Sequence, residues 1–354
     1  MSPFSKSYKL KQHTPMIHFQ SDQSGATLRA TELKPKLDRF LIANCADIPY
    51  KKHPNGDKSL DYKVSIRATG VTVEDIEKKD HRGKEQKDPL FFGNMGEWGR
   101  KKFVNAKTLE IEFVMFNSEI KKAIEDNFEA FLAQTNFGTR QSKGFGSFYL
   151  DKPFNNSLIP HKVYSFRSNN WKSDIKLFYS FLRAGINTAN FGGIYAKAAI
   201  FSYAQSQGWS WDKKAIKAKY LSKEKIEDGK YTLVRDLFGL SSEQSWMSYN
   251  ATISKETKGI DRFKSPITFK IVDNTVYFWA DKSAEVMLNR LFTIKYNKIG
   301  DLKLSTPTQF SFDDFFEYTF KLDISSYIEP KFHNDKFGEF NTLKRIFTEI
   351  KAGK

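Results

Sequence analysis

The chain has 354 residues, with 57 Lys and Arg against 41 Asp and Glu, a formal net charge of +16, and 40% hydrophobic residues including 33 Phe. A chain this apolar is not disordered, its length suits two domains, and its excess of cations points to a polyanionic partner, nucleic acid first. The single Cys45 excludes a disulfide framework and thiolate-rich metal sites and fits a reducing, cytoplasmic setting, while no apolar run approaches the roughly 18 residues of a membrane span.

Tyr8–Phe19 reads as a strand and Gln20–Gly25 as a polar turn, after which Leu33, Leu37, Phe40 and Leu41 recur at helical spacing. Thr31 is the expected N-cap, which puts Pro35 near the first turn, where few backbone donors are lost. From Asn44 to Lys102 the composition shifts to Gly, Pro and mixed charge, read here as a long, mobile insertion containing a strand at Tyr62–Thr69 and a solvated charged run at Glu74–Asp88. Order returns at Thr108–Phe116, where Leu109, Ile111, Phe113 and Met115 alternate with Glu110 and Glu112, as in a strand with one wet face. Asn117 or Ser118 can cap the next helix, whose apolar stripe is Ile120, Ile124, Phe128, Phe131 and Leu132.

After Pro160 come a strand at Lys162–Arg167, helices within Ser173–Ser206, a hairpin from Ile267 to Phe278 turning at Asp273-Asn274, a helix at Ser283–Phe292 and a surface helix at Glu339–Lys351. Both halves thus run strand and helix, then strand and helix. The expected class is α+β, two ferredoxin-like (RRM-like) domains with helical and loop insertions, covering residues 1–155 with the insertion 44–102, and a helix-rich 156–354.

The strongest local signal is the loop Phe137–Phe148. Gly138, Gly144 and Gly146 permit positive φ and close approach of backbone N–H groups to a phosphate, and Arg140 and Lys143 flank Ser142 without an intervening acid. The loop follows a helix and lacks the Lys-Ser/Thr ending of a Walker A motif, so nucleotide hydrolysis is not expected. Arg29, Lys34, Lys36 and Arg39 cluster at the start of the first helix, whose free N–H groups also favour anions. Trp209-Ser210-Trp211 with Lys213, Lys214, Lys217 and Lys219 could stack single-stranded bases and hold phosphates, but reads first as core tryptophans beside a solvated helix. The histidines, His13, His18, His53, His81, His161 and His333, contain no HExxH pattern, so neither a metal nor another cofactor is expected.

The glycine-rich loop resembles that of the RAMP superfamily of CRISPR-associated RNA-binding proteins, and Arg140–Ser147 is most similar to the capping RAMP subunit of Cmr (type III-B) effector complexes. Leu28–Lys34 is similar to the family's Leu-Arg-x-x-x-Ile-Lys, and Leu90–Asn94 to its Leu-Phe-Gly-Ser. Pro35 and Lys36 stand where the family has Gly and small residues, and Asp38 where it has a basic or apolar one. Beyond Pro160 only Ser265-Pro266-Ile267 and its hairpin look similar. The resemblance implies tandem ferredoxin-like folds and a non-catalytic subunit of a type III CRISPR effector, in contact with guide RNA (crRNA), target RNA and other RAMP subunits in antiviral defence. In RAMP subunits that cut target RNA, an Asp between the first strand and first helix is essential, and Asp22 occupies a comparable loop. One alternative is therefore a RAMP endoribonuclease using Asp22 or His18. The other is a general basic RNA-binding protein outside defence systems.

Overall fold

The structure is a computed structural model that describes residues 4–18, 27–79, 85–87, 102–222, 231–240, 243–246, 251–296, 301–333 and 338–353. It divides into two compact units, Met1–Val163 with Thr268–Phe278, and Tyr164–Ile267 with Trp279–Lys354.

The first unit is built on a four-stranded antiparallel sheet. Its strands are β1 (Ser5–Gln12), β2 (Tyr62–Thr69), β3 (Thr108–Met115) and β4 (Phe148–Leu150), in the order β4-β1-β3-β2. Helix α1 (Ala30–Asn44) follows β1, and α2 (Ser118–Gln134) follows β3. The alternation expected along β3 holds: Leu109, Ile111, Phe113 and Met115 are buried while Glu110 and Glu112 are exposed. Each such side chain contributes about 1.5–3 kcal/mol through burial, so the wet and dry faces are strongly specified. Helix α2 covers the dry face, with Phe128 edge-on to Phe113 at 5.1 Å and Phe131 against Phe40 of α1 at 5.5 Å. Asn117 is the N-cap of α2, its side chain accepting from the amides of Glu119 and Ile120.

Three local expectations change. The first strand ends at Gln12, short of Phe19. Helix α1 is N-capped by Arg29, not Thr31, without a side-chain cap bond, so Pro35 falls beyond the first turn. Tyr62–Thr69, assigned to the insertion, is an integral strand of the sheet, paired with β3 along its whole length from Tyr62 opposite Met115 to Thr69 opposite Thr108. The strand itself was expected; what changes is its place, because pairing with a half-buried neighbour puts it in the central sheet and not in a mobile insertion. Asp22 and Leu90–Asn94 lie outside the described residues.

The hairpin at Ile267–Val272 and Thr275–Ala280 turns at Asp273, whose φ of +51° is one that Asp tolerates. Its residues 268–278 belong to the first unit, where Lys270 is fully buried.

The second unit holds a six-stranded mixed sheet in the order Ser210–Trp211, Tyr231–Thr232, Leu302–Ser305, Leu291–Tyr296, Ala251–Glu256, Glu243–Trp246, parallel in its first two pairings and antiparallel in the rest. Phe178 and Phe181 of helix Trp171–Arg183 meet Phe320 of Phe312–Lys321 and Phe347 of Glu339–Ala352 at ring separations of 5.5–6.3 Å. The helix expected at Ser283–Phe292 is a short 3₁₀ segment, Lys282–Met287, followed by the strand Leu291–Tyr296. Asn289, at φ +52°, breaks the turn, and beyond it Phe292 and Ile294 are buried while Leu291 is exposed, a period of two rather than 3.6. Lys255, from the strand Ala251–Glu256, anchors a buried charged quartet: its Nζ reaches Asp236 at 2.7 Å and Asp212 at 3.2 Å, and Arg235 reaches Asp212 at 2.9 Å.

Candidate nucleic-acid interface

The glycine-rich loop closes on itself. An isolated bridge joins Asn136 to Ser147, and the Phe137 amide donates to Gly146 O at 2.9 Å. Gly138, Gly144 and Gly146 have φ of +78°, +87° and +64°, so the expectation of positive φ holds at all three. At two of them space is also limiting: a Cβ on Gly138 would lie 2.5 Å from Ile17 O, and one on Gly146 only 1.9 Å from Phe137 O. Many of the loop amides are committed within the protein. Gly138 N donates to Glu32 Oε1 at 2.6 Å, Thr139 N to Ile17 O at 2.7 Å, Gly146 N to Pro15 O at 2.9 Å and Ser147 N to Thr14 Oγ1 at 2.9 Å. Lys143 N and Gly144 N close tight turns onto Arg140 O and Gln141 O. In this geometry Gly138 and Gly146 serve close packing, and the amides bonded in this way are not available to a phosphate.

The cations divide in the same way. Lys143 is buried, 8% exposed, with Nζ 5.8 Å from the Phe269 ring. Lys34 pairs with Asp38 at 3.0 Å, donates to Leu60 O at 2.8 Å and lies over the Tyr62 ring at 3.8 Å. Lys36 donates to Glu32 Oε1 and to Asn136 O, both at 3.0 Å, and so ties α1 to the loop. Arg29 sits half-buried at the uncapped start of α1, and Arg39 is exposed one turn beyond Lys36. Arg140 is half-buried at φ +58°, a left-handed conformation that costs a non-glycine residue on the order of 1 kcal/mol or more. Ser142 is half-buried and its carbonyl accepts from Phe269 N at 3.1 Å.

The rest of the frame carries no local sequence signal. Lys270 donates to Leu132 O at 2.7 Å, Thr135 O at 2.8 Å and Phe148 O at 2.9 Å, bridging the end of α2 to both flanks of the loop. Burial pushes its pKa well down, against three carbonyls and the negative end of a helix that favour the ammonium. Asn136 Nδ2 donates to Gln141 O and Phe269 O, both at 2.8 Å, and Ser147 Oγ to Ile271 O at 2.6 Å. The Glu32–Lys36 and Lys34–Asp38 pairs, by contrast, were readable as i,i+4 partners.

Of the candidate catalytic residues, His18 is buried, 8% exposed, next to the fully buried Ile17. Among the described residues, no group of three or more His, Cys, Asp or Glu is placed to hold a metal ion, and no helix is long and apolar enough to cross a membrane.

Residues 5–186 match the Cmr1 N-terminal domain and residues 195–345 the Cmr1 C-terminal domain, which together span nearly the whole chain. The chain belongs to the Cmr1 family. It is thereby a RAMP protein of type III-B CRISPR systems, and the Cmr1 family supplies a subunit, generally non-catalytic, of the multi-subunit Cmr effector complex of antiviral defence. The second match extends the family likeness well beyond Pro160, where the sequence motifs had faded. No curated protein matches the chain.

Proposed function

We propose that this Cmr1-family chain is a non-catalytic RNA-binding subunit that contacts guide and target RNA through the surface formed by the start of α1 and the glycine-rich loop. Arg29, Arg39 and Arg140 are the direct phosphate contacts in this reading. Lys34, Lys36, Ser142, Lys143 and the three glycines form the frame that holds them. The observation that carries it is Arg140: a non-glycine residue held at φ +58° in a loop braced from α1, the segment before it and the hairpin. Strain of this kind persists where surroundings over-determine it, and such positions cluster at ligand clamps. The net charge of +16 supplies the long-range attraction to a polyanion.

The order β4-β1-β3-β2, all antiparallel, with helices after β1 and β3, supports reading the first unit as a ferredoxin-like domain. The proposed division into two domains then takes two amendments, a boundary after Val163 and the return of residues 268–278 to the first. Burial of His18 favours the absence of a general base, so the purified chain leaves single-stranded RNA intact with or without Mg²⁺. Binding is tested on the full chain by titrating single-stranded RNA at several salt concentrations. Replacing Arg29, Arg39 and Arg140 together by Ala lowers affinity for unrelated sequences alike and reduces the slope of log K against log salt by about 0.7 per lost contact. Unchanged affinity and slope would refute this surface assignment.

A further inference from the structure

Away from the glycine-rich loop, the first unit has a concave site. A cavity of about 520 Å³ opens where Tyr50, leading into the hairpin Lys51–Lys52 and Lys58–Ser59, faces the junction between β3 and α2. Phe116 and Asn117 line it at that junction, with Lys51, Asp61 and Lys63 on the other side. Two of its three aromatic side chains are unusually open to solvent, Phe116 at 74% and Tyr50 at 45%, while Tyr62 is buried, and Phe4, 47% exposed, leans on Phe116 at a ring separation of 5.3 Å. These rings lie outside the sheet's core, which is formed by buried side chains such as Phe113 and Phe128.

The charge around the rings is mostly positive. Lys51 and Lys63 line the cavity and Lys58 Nζ stands 4.4 Å from the Tyr50 ring centre. Asp61 is the acid among the lining residues, and it is held by Lys51 at 2.9 Å in a pair whose side chains are 65% and 73% exposed. An exposed pair of this kind is worth little and is readily exchanged for a phosphate. Asn117 already caps α2, so the attraction for an anion comes from the lysines rather than from free helix amides. Solvent-exposed aromatic rings interleaved with cations, in a cavity of ligand size, are the arrangement that stacks bases and holds the adjoining phosphates.

We infer that this cavity is a second RNA contact, a stacking pocket in which Tyr50 and Phe116 take an unpaired nucleobase of single-stranded RNA while Lys51 and Lys63 hold its flanking phosphates. The inference rests on the reading of the chain as an RNA-binding protein and adds a site that the arginine surface does not include. It is sequence-tolerant, because every base presents a π-face.

The test uses the full chain and single-stranded oligo(A) and oligo(U) carrying one 2-aminopurine, whose fluorescence reports stacking. Tyr50→Ala and Phe116→Ala each weaken binding about 5- to 100-fold, the loss of one base stack, and abolish the 2-aminopurine response with the salt slope unchanged. Phe116→Trp restores both, and because both residues are exposed the variants keep the parent's melting temperature. If the Ala variants bind and quench as the parent does while the triple arginine variant loses its salt slope, the pocket is wrong and the arginine surface stands. If the parent binds neither oligomer, both readings fall. A 2-aminopurine response that is absent while the rings become protected only on adding another protein subunit also overturns the nucleobase assignment.

Discussion

Replacing Lys270 by Met keeps the length of the side chain and removes only its charged end, which makes it the sharpest probe of how the first unit is assembled. Three carbonyls, of Leu132, Thr135 and Phe148, lose a donor held at 2.7–2.9 Å in a site that is closed to water. A buried group left without its partner costs about 1–3 kcal/mol, and the thioether recovers part of this because it no longer has to be desolvated as an amine. At the low end for each carbonyl the net loss is about 3 kcal/mol, which lowers Tm by about 6–12 °C for a unit of this size. Hydrogen exchange adds a local readout: amides of 135–148 lose protection, because Thr135 and Phe148 flank the loop that Lys270 closes. A K270M chain with the parent's Tm and unaltered exchange across 135–148 would show that the hairpin does not hold the loop. By the same reasoning a fragment ending at residue 155 lacks this residue and is less stable than the full chain.

His13 makes the first unit sensitive to acid. Burial dominates its environment and brings its pKa from 6.5 down to about 4, opposed by Asp273 and assisted by Lys270 and Lys11, and the Asp273 amide donating to Nδ1 at 3.0 Å requires the neutral ring despite the 3.5 Å approach of the Asp273 carboxylate. The unfolded chain therefore takes up the proton first, so a stability contribution on the order of 3 kcal/mol, complete above about pH 6.5, is lost as pH falls toward 4; His13→Asn, which keeps an acceptor, flattens the dependence of urea midpoint on pH, and an unchanged slope would count against it. Gly146→Ala costs at least about 2 kcal/mol, since φ is +64° and the new Cβ meets Phe137 O at 1.9 Å, whereas Gly208→Ala, at φ +75° in open space, costs only the conformational part of about 1 kcal/mol. Equal urea midpoints for the two would show that the loop yields freely. Lys255→Met leaves Asp212 and Asp236 with Arg235 as their remaining cation in the quartet and destabilises the second unit by about 3–5 kcal/mol in calorimetry; a loss below 1 kcal/mol would mean that water reaches the quartet.

What the sequence made legible is what short-range periodicity and capping control. The wet and dry faces of Thr108–Met115, the Asn117 cap, the stripe from Ile120 to Leu132 and the turn at Asp273 each follow from residues a few positions apart. The strand at Leu291–Tyr296 was missed because Leu291 and Phe292 complete an apolar pattern that fits either period until Asn289 breaks it. Membership of residues 268–278 in the first unit was hidden for another reason. Lys270 is separated from its three carbonyl partners by more than a hundred positions, and a lysine in a strand reads as solvent-facing unless those partners are known. Within the candidate site the glycines were found from their spacing, but the sequence offered no way to see that Glu32, Ile17, Pro15 and Thr14 take up the loop amides.

Whether RNA runs across the start of α1 and the glycine-rich loop is decided by photocrosslinking in the assembled effector complex. With 4-thiouridine placed along guide and target strands, the expected crosslinked peptides from this chain contain Arg29, Arg39 or Arg140, with yields that fall when those three residues are replaced by Ala. Crosslinks confined to other parts of the chain, or none from this chain in a complex that is otherwise fully assembled on its RNA, would contradict that path.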